Sequence, residues 1–432
     1  MNKIIFTLCL ILISASSSLA QDAGSATERL RNQSTQFTEQ IIKVAENVYV
    51  AVGFSVSNVS MIVGDDGVVI IDTGMMVDDA ERIVTEFRKV TDKPVKAIVF
   101  THAHGDHTGG AAAFFGNERP QIWAHENFGS EARSWSSGNL SVQNLRGARQ
   151  AGFKLPPEQR INNGIAPVRY PKRGGGVFTS AEETKPTHFL KGERQTIKVA
   201  GIELELVSSP GETNDQLFAW YPTAIRGAPN RSVRLWAESL GKLGAYDAEA
   251  IVGGHTNPIT GAGQVKQVLT DYHAAVQFIH DKTVEGINKG LTPDQLVQYV
   301  QLPEELTSKD YLQPFYGHPE WGVRTVFSGY LGWFDGNPSN LFRLTPKDEA
   351  ERLSKLLGGP DKLLAAARSA LASGDNQWAA QLADHLLAID ADDKNAKQIK
   401  ADALTKLASN MVNATARNYY LTVARELRDE TK

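Results

Sequence analysis

Two rhythms of apolar residues divide this chain. Between residues 42 and 73 they come in short β-branched runs, Val48-Tyr49-Val50, Val59–Val63 and Val68–Ile71, interrupted by Gly64-Asp65-Asp66-Gly67. Such runs predict strands joined by tight hairpins, because branched side chains fit a pleated surface and Gly and Asp adopt turn conformations at little cost. Residues 78–90 then change to a helical period, and 95–100 is a solid apolar run, the pattern of a buried strand reached through a crossover helix. Strand patterning returns at 195–199, at Ile202–Val207 and at Ile251-Val252.

After about Gly261 the strands stop and the period becomes helical. Helices are predicted over 265–285, 294–300, 322–331 and 348–357, followed by four shorter ones through Leu427. Within 361–428 the Ala-rich faces, with Gly374-Asp375 and Asp390-Ala391-Asp392 between helices, resemble tetratricopeptide-like hairpins, a design that binds proteins or dimerises. Between these regions, residues 141–190 are rich in Gly, Pro, Arg and Lys and show little periodicity, which predicts a long loop of the kind that serves as a lid or mobile segment.

Composition narrows the picture. The chain has 432 residues with mixed charges and a formal net charge of −4, so it is globular, and it lacks the basic footprint that nucleic acid requires. Its first twenty residues place Met1-Asn2-Lys3 before an apolar run over 4–13 and small residues ending Ser18-Leu19-Ala20, the layout of a secretory signal cut after Ala20. The apolar run is too short for a membrane span, so the expected product is periplasmic or secreted with no stable anchor. Cys9, the only cysteine, lies inside that signal. Any metal in the mature chain must then be held by His and carboxylate.

The strongest chemical signal is Thr101-His102-Ala103-His104-Gly105-Asp106-His107, directly after the apolar run 95–100 and before Gly109-Gly110. Neutral imidazoles and carboxylates are good zinc ligands, and a strand-end loop can splay alternating ones so that two neighbouring ions are reached from one turn.

Through this His-x-His-x-Asp-His run and the earlier Ile70-Ile71-Asp72-Thr73-Gly74, the sequence resembles the metallo-β-lactamase superfamily. Pro210-Gly211-Glu212-Thr213, which puts Glu where that superfamily normally has His, makes it similar to the zinc alkylsulfatases. The similarity continues through Phe278-Ile279-His280-Asp281, Tyr316-Gly317-His318, Gly-Tyr-Leu-Gly-Trp-Phe-Asp-Gly-Asn-Pro at 329–338 and Asn418-Tyr419-Tyr420-Leu421.

The resemblance implies an α+β architecture: an αββα metallo-β-lactamase sandwich over 36–262, then an all-helical dimerisation domain over 263–432, without the family's sterol-carrier-like third domain. It implies one or two zinc ions per chain, the first held by His102, His104 and Glu212 and the second by Asp106, His107 and His255. It also implies hydrolysis of alkyl sulfate esters by metal-activated water in a homodimer, with Asp106 at the reaction centre and Arg226 gripping the sulfate. His318 lies near the position of the family's proton donor, which Trp321 matches more closely.

One departure stands out. Trp220-Tyr221-Pro222-Thr223 runs straight into Ala224-Ile225-Arg226-Gly227, where the family has a strand and a loop with a bridging carboxylate; Glu238 is the nearest carboxylate downstream, on a predicted amphipathic helix over 233–243. Two alternatives therefore stand beside sulfate-ester hydrolysis. One is a different ester or lactam substrate on the same fold; the other is a catalytically impaired dimer that binds metal.

Overall fold

A computed structural model of the chain describes residues 4–6, 25–130, 141–167, 176–217 and 232–431. The strands are β1 (Ile4–Phe6), β2 (Gln40–Ala45), β3 (Val48–Val52), β4 (Val59–Val63), β5 (Val68–Ile71), β6 (Val95–Val99), β7 (Gln121–His125) and β8 (His188–Leu190). They continue with β9 (Arg194–Val199), β10 (Ile202–Val207), β11 (Ala250–Val252) and β12 (Ile259–Thr260). A seven-stranded sheet runs β2 to β8 in chain order. It is antiparallel from β2 to β5 and parallel from β5 to β8.

Alternation along β5 and β6 builds the layers. Val68, Ile70 and Ile98 turn to one face, where they bury against Ala80, Ile83 and Phe87 of the helix Val77–Arg88. Their neighbours Val69, Ile71, Ala97 and Val99 turn to the other face and meet Ile197 of β9 and Leu206 of β10. Opposite the seven-stranded sheet lie two smaller sheets, the β9–β10 hairpin and β1–β11–β12; β1 falls within the segment expected to be cut off after Ala20, so the second layer of the mature chain would rest on the other four strands. Val207 and Ile251 pack outward from it onto the helices Val233–Gly244 and Ala262–Asn288. The order helix, sheet, sheet, helix is the sandwich expected from the sequence.

The helical half follows the apolar period, with Ala262–Asn288, Pro293–Tyr299, Pro319–Leu331 and Pro346–Leu357 at the expected places. Four more helices, Pro360–Ser373, Asn376–Ile389, Lys394–Ser409 and Ala414–Asp429, form their own Ala- and Leu-rich core. The last three start at side-chain caps: Asp375, Asp393 and Asn413 each accept a backbone N–H of the first turn.

The segment expected to be a free loop is different where it is described. Ser141–Gln150 is a helix, and the chain after it is a strap fastened to the helix Ala414–Asp429. Arg149 pairs with Glu426 at 2.6 Å, Gln150 donates to the Tyr316 hydroxyl at 3.1 Å, and Arg417 donates to the Gln159 carbonyl at 2.9 Å. Gly152, at φ +71°, lies against the Asn418 side chain, which donates to the Asn162 carbonyl at 3.1 Å. Partners more than 150 residues away supply the order here, and periodicity cannot show them. Residues 168–175, with most of the Lys172-Arg173-Gly174-Gly175-Gly176 run, lie outside the described residues.

Asn418 is buried at the centre of this seam. Replacing it with Ala should destabilise the protein by about 1–3 kcal/mol, the cost of leaving a buried carbonyl without its donor. Urea denaturation measures this, and an unchanged midpoint would mean that the seam adds nothing to stability.

Candidate metal centre

The C-terminal ends of β5 and β6 lie side by side, because these strands are parallel and paired as far as Ile71 and Val99. Asp72 follows one and the Thr101–His104 loop follows the other. Asp106 and His107 lie in the short helix Gly105–Thr108. Two residues come from the second layer: Glu212, in the turn after β10, and His255, in the loop after β11.

Their donor atoms fall into two groups, His102, His104 and Glu212, and Asp106, His107 and His255, each with all three atoms within 4.8 Å of one another. Within the first, His104 Nδ1 is 3.4 Å and His102 Nε2 is 4.0 Å from the Glu212 carboxylate. Within the second, His107 Nε2 is 3.5 Å and His255 Nε2 is 3.8 Å from Asp106 Oδ2. Tetrahedral ligands with bonds of about 2.0–2.1 Å stand roughly 3.4 Å apart, so both groups are close to the spacing one ion would impose.

Hydrogen bonds on the far side of three imidazoles settle their tautomers. Asp72, 3 % exposed, is approached at Oδ1 by the Thr101 N–H and at Oδ2 by both the Thr101 hydroxyl, at 2.8 Å, and His107 Nδ1, at 2.7 Å. A carboxylate only accepts, so His107 carries its proton on Nδ1 and presents Nε2 to the site. The Thr101 hydroxyl has given its one proton to Asp72, so at 3.1 Å it accepts from His102 Nδ1, and His102 likewise presents Nε2. His255 Nδ1 donates to the Val56 carbonyl at 2.8 Å, with the same result.

Among the described residues, His102 Nε2 is left buried with no hydrogen-bond partner. A lone pair held there is costly unless something electrophilic receives it, and a metal ion does. The electrostatics agree. Burial, reinforced by His107 and His104, pushes His102 well below the usual imidazole range, so it is neutral and ready to ligate. Burial also acts to lower His107, but Asp72 and Asp106 outweigh it and hold its proton up to about 9. Metal entering the second group must displace the second proton of that imidazolium, on Nε2, while the Nδ1 proton stays hydrogen-bonded to Asp72.

Arg226 and the junction at 222–225 lie outside the described residues. Glu238 is exposed on the helix Val233–Gly244, paired with Arg234 one turn away, and belongs to neither group. His318 starts the helix Pro319–Leu331, its ring 5.9 Å from Trp321, and is also outside both groups. Two further histidines have structural roles: His125 accepts the Asn127 N–H at Nδ1 and therefore donates from Nε2 to Ser208, and His188 stacks on Trp123.

The sequence reading did not single out Asp72 and Thr101 as the residues that orient the ligands. The available signal was an acidic residue directly after an apolar strand, at Ile71-Asp72-Thr73.

Models of two known families match the chain: the metallo-beta-lactamase superfamily over residues 52–224, and alkyl sulfatase dimerisation over 292–430. A linear primary-alkylsulfatase from a Pseudomonas species is 35 % identical over 394 residues, covering 85 % of this chain and 73 % of its own length. An (R)-specific secondary-alkylsulfatase, also from Pseudomonas, is 30 % identical over 422 residues, covering 90 % of this chain and 62 % of its own. The chain thus spans under two thirds of that second relative. Among solved structures, the stereoselective inverting sec-alkylsulfatase Pisa1 from Pseudomonas superposes with a TM-score of 0.81 at 28 % identity, over 91 % of this chain and 66 % of that one.

Thr101→Val keeps the shape of the side chain and removes the acceptor for His102 Nδ1. It should weaken metal binding to the first group by about 10–100-fold. Competition against a chromogenic chelator reads this, and unchanged affinity would refute the tautomer assignment.

Proposed function

Because this chain belongs to the alkylsulfatase family of the metallo-β-lactamase superfamily, we propose that it is a zinc-dependent hydrolase that cleaves alkyl sulfates to an alcohol and sulfate. The observation that carries this is the pair of largely buried ligand groups beside the paired ends of β5 and β6, with three imidazoles locked to present Nε2. The substrate class is supported by the relatives, which are named for primary and secondary alkyl sulfates.

Zinc suits a donor set of imidazole and carboxylate without thiolate, and three protein ligands per ion leave a position open for catalysis. Bound there, it would supply Lewis acidity and a water acidified to near neutral pH. The chain's own residues do the rest. Asp72 and Thr101 hold the rings in register, and Asp106 stands between His107 and His255 at the reaction centre. Arg226, by its family position, grips the sulfate with its planar fork of donors. His318, three residues from the Trp321 that matches the family's proton-donor position more closely, stays the weaker candidate for that role.

The enzyme is further proposed to be exported by its N-terminal signal and to dimerise through its helical half. Trp333 is 76 % exposed and Phe342 is 96 % exposed, and Tyr330, Leu331, Leu341 and Leu344 are exposed beside them in sequence. All fall within the part matched to alkyl sulfatase dimerisation. Apolar side chains concentrated in one exposed stretch are expected where a second subunit covers them.

Two zinc ions per chain and sulfate release from dodecyl sulfate are the expected results of elemental analysis and assay on one preparation. His104→Ala should lower the zinc to one per chain and turnover by about 100-fold or more. Zinc uptake without sulfate release, on any alkyl sulfate tested, would overturn the substrate and leave a metal-binding dimer.

Phe342→Asp should shift the protein from dimer to monomer in size-exclusion chromatography with light scattering. A dimer that survives it would move the interface away from this stretch.

A further inference from the structure

Each ligand group is completed by one residue delivered from the second β layer, Glu212 in one case and His255 in the other. Neither sits in a strand or helix, so something must hold each loop at the right distance from the His-x-His-x-Asp-His turn. A single buried amide does this for each.

Asn58, 5 % exposed, precedes β4 and faces the loop that carries His255. Its backbone N–H donates to the Gly254 carbonyl at 2.7 Å, and its side-chain Nδ2 donates to Gly253 at 2.9 Å and to Thr256 at 2.6 Å. One residue therefore holds the carbonyls on both sides of His255. The restraint is needed, because Thr256 is at φ +64°, a conformation that a β-branched residue adopts only when its surroundings enforce it.

Gln216 is fully buried inside the turn that carries Glu212. Its Oε1 accepts the Glu212 N–H at 2.8 Å, and its carbonyl accepts the Ser209 N–H at 2.9 Å. The next residue, Leu217, donates to the Thr101 carbonyl at 2.7 Å, which ties the turn to the strand end bearing His102. Among the described residues, Gln216 Nε2 is buried without a partner. A half-satisfied amide at a core position is a standing cost that an apolar residue would avoid, so the contact made by Oε1 is what the position requires.

We propose that Asn58 and Gln216 are positioning residues that set metal affinity separately, Asn58 for the group containing His255 and Gln216 for the group containing Glu212. This rests on the reading that the six ligands bind metal. The two sites are then supported by independent struts, and each can be weakened without disturbing the other.

The test uses the full chain with zinc as the probe, by chelator competition, in His104→Ala and His255→Ala backgrounds that each retain one site. Asn58→Asp keeps the shape but removes both side-chain donors. It should weaken the zinc left in His104→Ala by about 10–100-fold and leave the zinc in His255→Ala unchanged; Asn58→Ser serves where the aspartate does not fold. Gln216→Met should do the reverse, and Gln216→Glu, which still offers an acceptor to the Glu212 N–H, should restore affinity to within about threefold of the parent.

Equal weakening of both sites together with a lower melting temperature of the metal-free protein would reduce both residues to general folding roles and overturn the proposal. No change at either site would overturn it as well. A wild-type chain that takes up no zinc would instead overturn the metal reading itself, an outcome visible before any variant is made.

Discussion

The site depends on one buried carboxylate. Asp72 ends β5 in a left-handed backbone conformation and accepts three hydrogen bonds, two from Thr101 and one from His107. Two of the three acceptances fix ring orientation, His107 directly and His102 through the Thr101 hydroxyl, so one charge serves both ligand groups. It also joins the ends of the two parallel strands on which the site is built. Burying a carboxylate is expensive unless it is fully hydrogen-bonded, and here the bonds that satisfy it are the same ones that aim the ligands.

Much of this could be read from the sequence because it is local. The His-x-His-x-Asp-His run lies within six positions, and the strands around it alternate cleanly enough to place it at a strand end. Glu212 and His255 could be named only through a family resemblance, since nothing in their own neighbourhoods says that two turns from a second layer converge on the same point. The orienting contacts were less visible still. Asn58 and Gln216 look like ordinary polar loop residues until the carbonyls and N–H groups they meet are known.

The strap at 141–167 failed to show for a related reason. Periodicity reports a face turned toward a continuous core, whereas this segment is fixed by discrete polar contacts to Tyr316, Arg417, Asn418 and Glu426. Its Gly and Pro content marks irregular backbone, and irregular backbone can be as firmly held as a helix when its polar groups are met. The helical half is the opposite case: most of its longer helices carry their own apolar stripe, and several a side-chain cap, so its elements were legible to within a few residues.

That strap also has a bearing on how the protein is made. Arg149 is 277 residues from Glu426, and Gln150 is 166 from Tyr316. At ribosomal speeds of about 5–20 residues per second, the strap waits roughly 15–60 seconds for the helix Ala414–Asp429 to be synthesised. The hydrolase half therefore cannot complete its seam before Glu426 has been made. A chain kept unfolded for export would face no such wait, because both partners would emerge into the same compartment before either had committed to a structure.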